Sequence, residues 1–222
     1  GKDRKFMNEQ AWLHEKWAER IIKNLNKNYM NGFYFNSAKD ALPEILGKIP
    51  PGALVGLGDS LTLKQIGVIS ALEEGNYRLL NPWAEKDMKQ RIEIQRQVLT
   101  SDVFLVGTNA ITLNGELVNV DGRGNRVAAM IFGPKKVLIV VGVNKIVRDV
   151  EEGFNRVKSI AGPTNAMRHQ FPEAQRPPCM TTGFCSDCKP PLTICCALTV
   201  IRGQRTDKDR INVFIIGEEL GL

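Results

Sequence analysis

Two histidines, His14 and His169, are all that the 222 residues contain. That scarcity excludes any mechanism resting on several imidazoles, three-histidine zinc sites among them. Aromatic residues are only 7% of the chain, and its lysines and arginines are scattered rather than interleaved with rings. No nucleic-acid track stands out, and nucleic acid is not an expected partner. No apolar run approaches the roughly 20 residues that cross a bilayer, so no membrane span is expected. The opening Gly1-Lys2-Asp3-Arg4-Lys5 is charged and leads into a Trp-containing polar helix rather than the apolar stretch of a secretory signal, so the cytoplasm is the expected compartment.

What is present is ordinary for a folded protein: 43% apolar and 24% charged residues. That balance excludes a disordered tail, a collagen-like repeat and a disulfide-dense miniprotein. The length suits a single domain over residues 1–222 that buries a full core without covalent staples. Thirty basic against 24 acidic residues leave a net charge of +6. Such a surface favours anionic small molecules.

Apolar residues recur at helical spacing from Asn8 to Tyr29 (Leu13, Trp17, Ile21, Leu25). This predicts an amphipathic N-terminal helix packed on the body; an arm forming a homodimer is the lesser reading. Ser37 is placed to cap a short helix that runs through Leu46. Strands and helices then alternate. Strands are expected at Ala53–Leu57, Tyr77–Leu80, Asp102–Val106 and Lys136–Val141, and helices at Thr62–Glu74, Ala84–Leu99 and Asp149–Met167. The Lys136–Val141 run, K-V-L-I-V-V, is apolar on both faces and belongs mid-sheet. The pattern predicts an α/β sandwich around a mostly parallel sheet. At the tail, Ala197–Arg202 and Ile211–Ile216 flank a charged turn and read as a C-terminal β-hairpin.

Chemistry can sit in three places. In Val55–Thr62, a strand runs into Gly56-Leu57-Gly58-Asp59-Ser60-Leu61-Thr62. The glycines allow close backbone approach to an anion, helped by the Ser60 and Thr62 hydroxyls. An ordinary βα turn capped by Asp59 or Ser60 fits these residues equally well. The stretch matches neither a Walker loop nor a complete dinucleotide fingerprint, since Leu61 stands where the last glycine belongs.

The second place runs from Gly107 to Arg126. Thr108 and Asn109 open it, Asn114-Gly115 signals a tight hairpin turn, and Asp121-Gly122-Arg123-Gly124-Asn125-Arg126 closes it. Guanidinium forks and free backbone donors in such a loop suit a phosphate or carboxylate. Asn144 and Lys145 follow the strongest strand, where ligands gather in open α/β sheets. Lys145 as a solvated loop lysine remains a serious competitor, as does an Asp121 that caps its own loop.

The third place is the cysteine series Cys179, Cys185, Cys188, Cys195 and Cys196, spaced C-x5-C-x2-C-x6-C-C. In a cytoplasmic chain this clustering favours a metal or cluster over a redox-responsive disulfide or free thiols. Neither softness nor spacing separates zinc from iron–sulfur. Cys196, at the start of an apolar strand, is the expected spare.

T-N-A-I-T-L-N-G-E-L-V-N-V-D-G-R-G-N-R-V-A-A-M-I-F-G-P-K-K-V at 108–137, with G-V-N-K-I-V at 142–147, resembles the LUD domain family of bacterial lactate-utilisation proteins. The closing I-I-G-E-E-L-G-L at 215–222 and G-L-G-D-S-L-T-L at 56–63 are similar to the same family, and P-C-M-T-T-G-F-C-S-D-C at 178–188, with Cys195, resembles its cysteine-bearing short members. The resemblance implies a three-layer Rossmann-like sandwich of the NagB/RpiA/CoA-transferase kind. Relatives of that kind bind sugar phosphates, CoA thioesters or folates at loops matching the first two places. It also implies a role in oxidising lactate to pyruvate within a multi-protein system. The chain differs from larger members in lacking a ferredoxin-like domain, and it has Pro191-Leu192-Thr193 where an Asp-Arg pair is more usual.

Three functions remain open. In the favoured one, Gly56–Thr62 and Asp121–Arg126 bind an anionic metabolite, whether a sugar phosphate, a CoA-linked acid or another carboxylate. Cys179, Cys185, Cys188 and Cys195 hold an iron–sulfur cluster that exchanges electrons with a redox partner protein. In the second, an isomerase-like or hydrolase-like enzyme holds structural zinc, with Asp121 as general base and Lys145 steadying an enolate or a phosphate. In the third, the chain is a metabolite-binding regulator.

Overall fold

The computed structural model describes residues 8–169 and 171–222. Its elements in chain order are α1 (Glu9–Lys27), β1 (Asn31–Phe35), α2 (Ala38–Gly47), β2 (Leu54–Leu57), α3 (Leu61–Gln65), α4 (Val68–Glu74), β3 (Arg78–Leu80) and α5 (Met88–Val98). There follow β4 (Val103–Gly107), β5 (Ala110–Thr112), β6 (Leu117–Asp121), α6 (Asn125–Ile131), β7 (Lys136–Gly142) and β8 (Ile146–Val147). Last come α7 (Val150–Arg156), α8 (Gly162–Arg168), α9 (Cys179–Thr182), β9 (Ala197–Ile201) and β10 (Ile211–Ile216).

Six strands form one parallel sheet in the order β1-β10-β7-β4-β2-β3. Strand β7 lies inside it, and Val137 to Val141 are fully buried. Alternate residues feed two separate cores. Phe104, Val106, Val137, Ile139, Val213 and Ile215 pack on the side of α1, whereas Leu105, Leu138, Val140, Phe214 and Ile216 pack with residues of α2, α3 and α4. Helices on both faces of a mostly parallel sheet make the expected three-layer Rossmann-like sandwich.

The helix ends follow local chemistry. Asn8 accepts a hydrogen bond from the Gln10 amide at the start of α1, and Ser37 accepts one from the Asp40 amide at the start of α2. Ala18, Ile21 and Leu25 form the buried stripe of α1, while Leu13, nearer its N-terminus, is exposed. A Cβ on Gly32 would come within 2.9 Å of Ile22 and Leu25, so this glycine lets α1 lie close on β1. The expected helix over 62–74 is broken at Gly67, whose φ of +75° is left-handed, giving α3 and α4. The helix expected from Ala84 starts later, at Met88, where Asp87 caps it.

A second sheet, β8-β5-β6-β9, stands beside the first. Its β5–β6 pair is the antiparallel hairpin signalled by Asn114-Gly115, with Gly115 at φ +81°. The expected C-terminal hairpin does not form, although both of its strands do. Strand β9 pairs antiparallel with β6, and β10 enters the main sheet between β1 and β7. The six residues of β10 are all buried, which needs cover on both faces; the edge of a surface hairpin offers one.

Arg210 pins the approach to β10. Its guanidinium, itself buried, donates to the carbonyls of Pro134 (3.0 Å), Met130 (2.9 Å) and Ala129 (3.2 Å). Replacing it by methionine strands those acceptors, and Arg210→Met is expected to cost about 3 kcal/mol in urea unfolding. A loss below about 0.5 kcal/mol would mean that this anchor is dispensable.

Candidate functional site

In the parallel sheet, strand order reverses between β2 and β4: the chain leaves β2 toward β3 and returns to β4 on the other side. Loops leaving the carboxyl ends of two such strands part at that point and leave a crevice. Here the crevice is a cleft of about 570 Å³, within the range of small-molecule sites. Two glycines hold its lips together. A Cβ on Gly58 would meet Val106 at 2.9 Å, and one on Gly107 would meet the Ser60 hydroxyl at 2.9 Å.

Arg126 organises one wall. Nε donates to Asp121 Oδ1 at 2.9 Å, and Nη1 to Asn119 Oδ1 at 2.6 Å and the Gly107 carbonyl at 3.1 Å. Nη2 donates to Asn109 Oδ1 at 3.1 Å and the Val120 carbonyl at 3.3 Å, and lies 2.7 Å from Asp121 Oδ1. The fork is thus occupied by the protein rather than offered to a ligand. Asp121 is occupied too, since Oδ2 accepts the Val127 amide at 3.0 Å. Its geometry is that of a cap and an anchor for Arg126. Asn119 and Thr108, both buried, complete the lattice through a 3.2 Å hydrogen bond.

Lys145 lies in the cleft and is only 6% exposed. Its amine is 3.2 Å from Thr62 Oγ1, and no carboxylate pairs with it among the described residues. Burial, followed by the positive charges of Arg156 and Arg126, pushes the Lys145 amine down to about 7. Arg156 cannot swing away, because it donates to the backbone oxygens of Asn144 (3.2 Å), Asn109 (2.8 Å) and Leu222 (3.0 Å).

On the facing wall, Arg168 grips the Asp59 carboxylate with two donors, and His169 Nε2 lies 2.9 Å from Asp59 Oδ2. Burial alone would push Asp59 up, but hydrogen bonds from His169 and Arg168 outweigh it and hold the carboxyl at about 2. Both side-chain carboxylates of the cleft therefore have an arginine partner.

Of the residues expected at a site, the cleft brings together Asp59, Ser60, Thr108, Asn109, Asp121, Gly122, Asn125, Arg126, Lys145 and Cys195. Gly56 stands apart as a packing glycine, where a Cβ would collide with Val98 at 2.7 Å. Gly58 and Gly124 shape turns, and Asn144 clasps Leu220 through both its backbone groups. Thr62 is buried beneath Lys145. Arg156, Arg168, His169 and Trp83 were not foreseen. Each reaches the site from a distant segment, and nothing in its immediate sequence marks it.

The cysteine loop joins this cleft rather than forming a separate centre. The Cys196 amide donates to the Asp121 carbonyl at 2.8 Å, which sets Cys195 on the cleft wall. From the other side, Lys158 pairs with Asp187 at 2.9 Å. Lys158 belongs to a π-helical turn, Val157–Ala161, between α7 and α8, and Val157 and Ala161 also line the cleft. Such turns are frequent at functional sites. Although Cys195 is exposed as a residue, its thiol is pushed up to about 11, first by burial and then by Cys185, Cys179, Cys188 and Cys196. Cys179 is raised by burial and then by Cys188 and Cys185. Cys195 and Cys179 thus sense the cysteines around them, yet among the described residues no three His, Cys, Asp or Glu side chains stand in metal-binding geometry. No described helix is long and apolar enough to cross a membrane.

Fold and cleft together define a mostly parallel α/β protein with a cleft of small-molecule size at the sheet's switch point. The family model described as the LUD domain matches residues 18–216, and the chain belongs to the LUD domain family. A solved structure of a DUF162 family protein from Deinococcus radiodurans matches with a TM-score of 0.53 and 14% identity, over 92% of this chain and 98% of that one. At that identity the likeness shows the fold. eIF2B delta from Chaetomium thermophilum gives a TM-score of 0.33 and 16% identity over 64% of this chain and 55% of its own, and carries no argument. None of the curated proteins matches in sequence.

The Asp59 ion pairs yield a pH test. A carboxyl whose folded-state pKa is depressed adds stability above its unfolded value, and that stability is lost as pH falls through the folded value. The stability difference between the wild-type protein and Asp59→Asn is therefore expected to narrow by about 2 kcal/mol between about pH 6 and pH 2. A difference that stays constant over that range would show that the pairs with Arg168 and His169 do not hold in solution.

Proposed function

We propose that this LUD-family protein binds an anionic small metabolite in the switch-point cleft and carries an iron–sulfur cluster on Cys179, Cys185, Cys188 and Cys195, serving lactate-linked redox metabolism with a partner protein. One observation carries the reading: the surplus charge of the cleft is positive, and a cysteine of the cluster series lies on its wall. The Asp59 and Asp121 side chains are paired with Arg168 and Arg126, which leaves Arg91 and Arg123, with a partly protonated Lys145, as the excess. A site of that sign concentrates anions and suits a carboxylate or phosphate.

The cysteines fit a cluster in donor type, four thiols on the one stretch of chain that leads into β9. Burial, and then the neighbouring cysteines, raise the Cys179 and Cys195 thiols and make them poor anions by themselves, and a bound cation reverses that relation. A bound iron–sulfur cluster supplies one-electron transfer. The chain's own contribution is to fix the loop at Asp121 and Lys158, with Cys195 on the cleft wall. The isomerase-like or hydrolase-like alternative, with structural zinc, asks Asp121 to act as a base. Both oxygens of Asp121 are already engaged, which weighs against that role.

Metal and acid-labile sulfide analysis of protein purified without oxygen tests the cluster. Iron with sulfide and a visible absorption spectrum is expected, and Cys195→Ser is expected to lose both. Zinc without sulfide, or no metal at all, would overturn it. For the cleft, oxalate is expected to raise the melting temperature of the wild-type protein, and an unmoved transition would remove the anion reading.

A further inference from the structure

We propose that Lys145 is a nucleophile: its side-chain amine condenses with the carbonyl carbon of an anionic aldehyde or ketone held in the cleft and forms an imine. This rests on the reading of the cleft as an anion site and names the class of metabolite it takes.

The argument begins with what surrounds the nitrogen. A lysine that only grips an anion is best kept charged, and nearby carboxylates usually keep it so. At Lys145 the arrangement is the opposite. The neighbouring charges are Arg126 and Arg156, both immobilised on protein oxygens, and Asp121 is bonded to Arg126 and the Val127 amide. Desolvation beside fixed cations is a recognised way of holding a lysine as the free amine. The value of about 7 given above agrees with this arrangement and leaves a large share of neutral amine at neutral pH.

Space and a proton path are also present. Gly221 has a left-handed φ of +72°, and a Cβ there would stand 2.7 Å from the Lys145 amine and 2.5 Å from Thr62 Oγ1. The room over both groups therefore depends on the missing side chain. Thr62 Oγ1, 3.2 Å from the amine, can accept and return a proton. In the step itself, the nitrogen lone pair forms the C–N bond and the carbonyl pair moves to oxygen. The proton lost by nitrogen passes to that oxygen. Dehydration of the carbinolamine then gives imine and water. No external oxidant or reductant is consumed.

The test is reductive trapping with glyoxylate, an anionic aldehyde, and cyanoborohydride near neutral pH, read by peptide mass spectrometry. Lys145 is expected to acquire the reduced adduct at least about tenfold faster than exposed lysines such as Lys16, since ordinary lysines are almost wholly protonated there. Labelling of Lys145 no faster than of Lys16 would overturn the proposal. Oxalate has no electrophilic aldehyde and separates the two ideas. If it raises the melting temperature while Lys145 is not preferentially trapped, the imine is refuted and the anion site stands. Lys145→Arg keeps a cation without a condensing amine, and is expected to lose the trapped adduct while exposed lysines such as Lys16 label as before.

Discussion

The guanidinium of Arg126 gathers the end of β4, the loop after it and β6 around one point. It takes a carbonyl from the end of β4, side chains from the loop that follows and from β6, and the carboxylate that begins the path into α6. A planar cation with five donors in fixed directions does this as no neutral side chain can, and leaving it unsatisfied would be costly. Arg156 and Arg210 repeat the device, joining α7 to the segments after β4 and β7, and the approach of β10 to the end of α6. Segments far apart in sequence are thereby held without regular hydrogen-bond ladders.

The cleft's electrostatics follow from those knots. Guanidiniums saturated by carbonyls keep their charge but cannot move toward a ligand or toward Lys145. Their field, added to burial, disfavours the ammonium form of the one amine among them. On the opposite side, Asp59 is paired with the Arg168 guanidinium and adds little negative potential. The result is a polar chamber of positive sign whose reactive nitrogen is not permanently charged. Its remaining wall is the cysteine loop, tied at Asp121 and Lys158, so a change in either place reaches the other through short, identifiable contacts.

Much of the fold was legible because it is periodic. The K-V-L-I-V-V strand, the stripe of α1, the Ser37 cap and the Asn114-Gly115 turn each state their structure locally. The fate of Ile211–Ile216 was not local: an apolar strand after a charged turn suits a hairpin as well as an inserted parallel strand, and only competition for the slot between β1 and β7 decides. The loops of the site were legible through their glycines, although several of those glycines serve packing. Arg126 could be placed near the site, but its saturation depends on Asn119 and on carbonyls whose directions no sequence pattern reports. Arg168 and His169 meet Asp59 from over a hundred residues away, a pairing set by tertiary packing alone.

Everything distinctive about the cleft converges on the state of the Lys145 amine. The most direct measurement is an NMR titration of its side-chain nitrogen in the intact protein, assigned with Lys145→Arg. A midpoint near 7 is expected. A midpoint at the ordinary lysine value of about 10.4 would contradict the fixed-cation environment and the chemistry built on it.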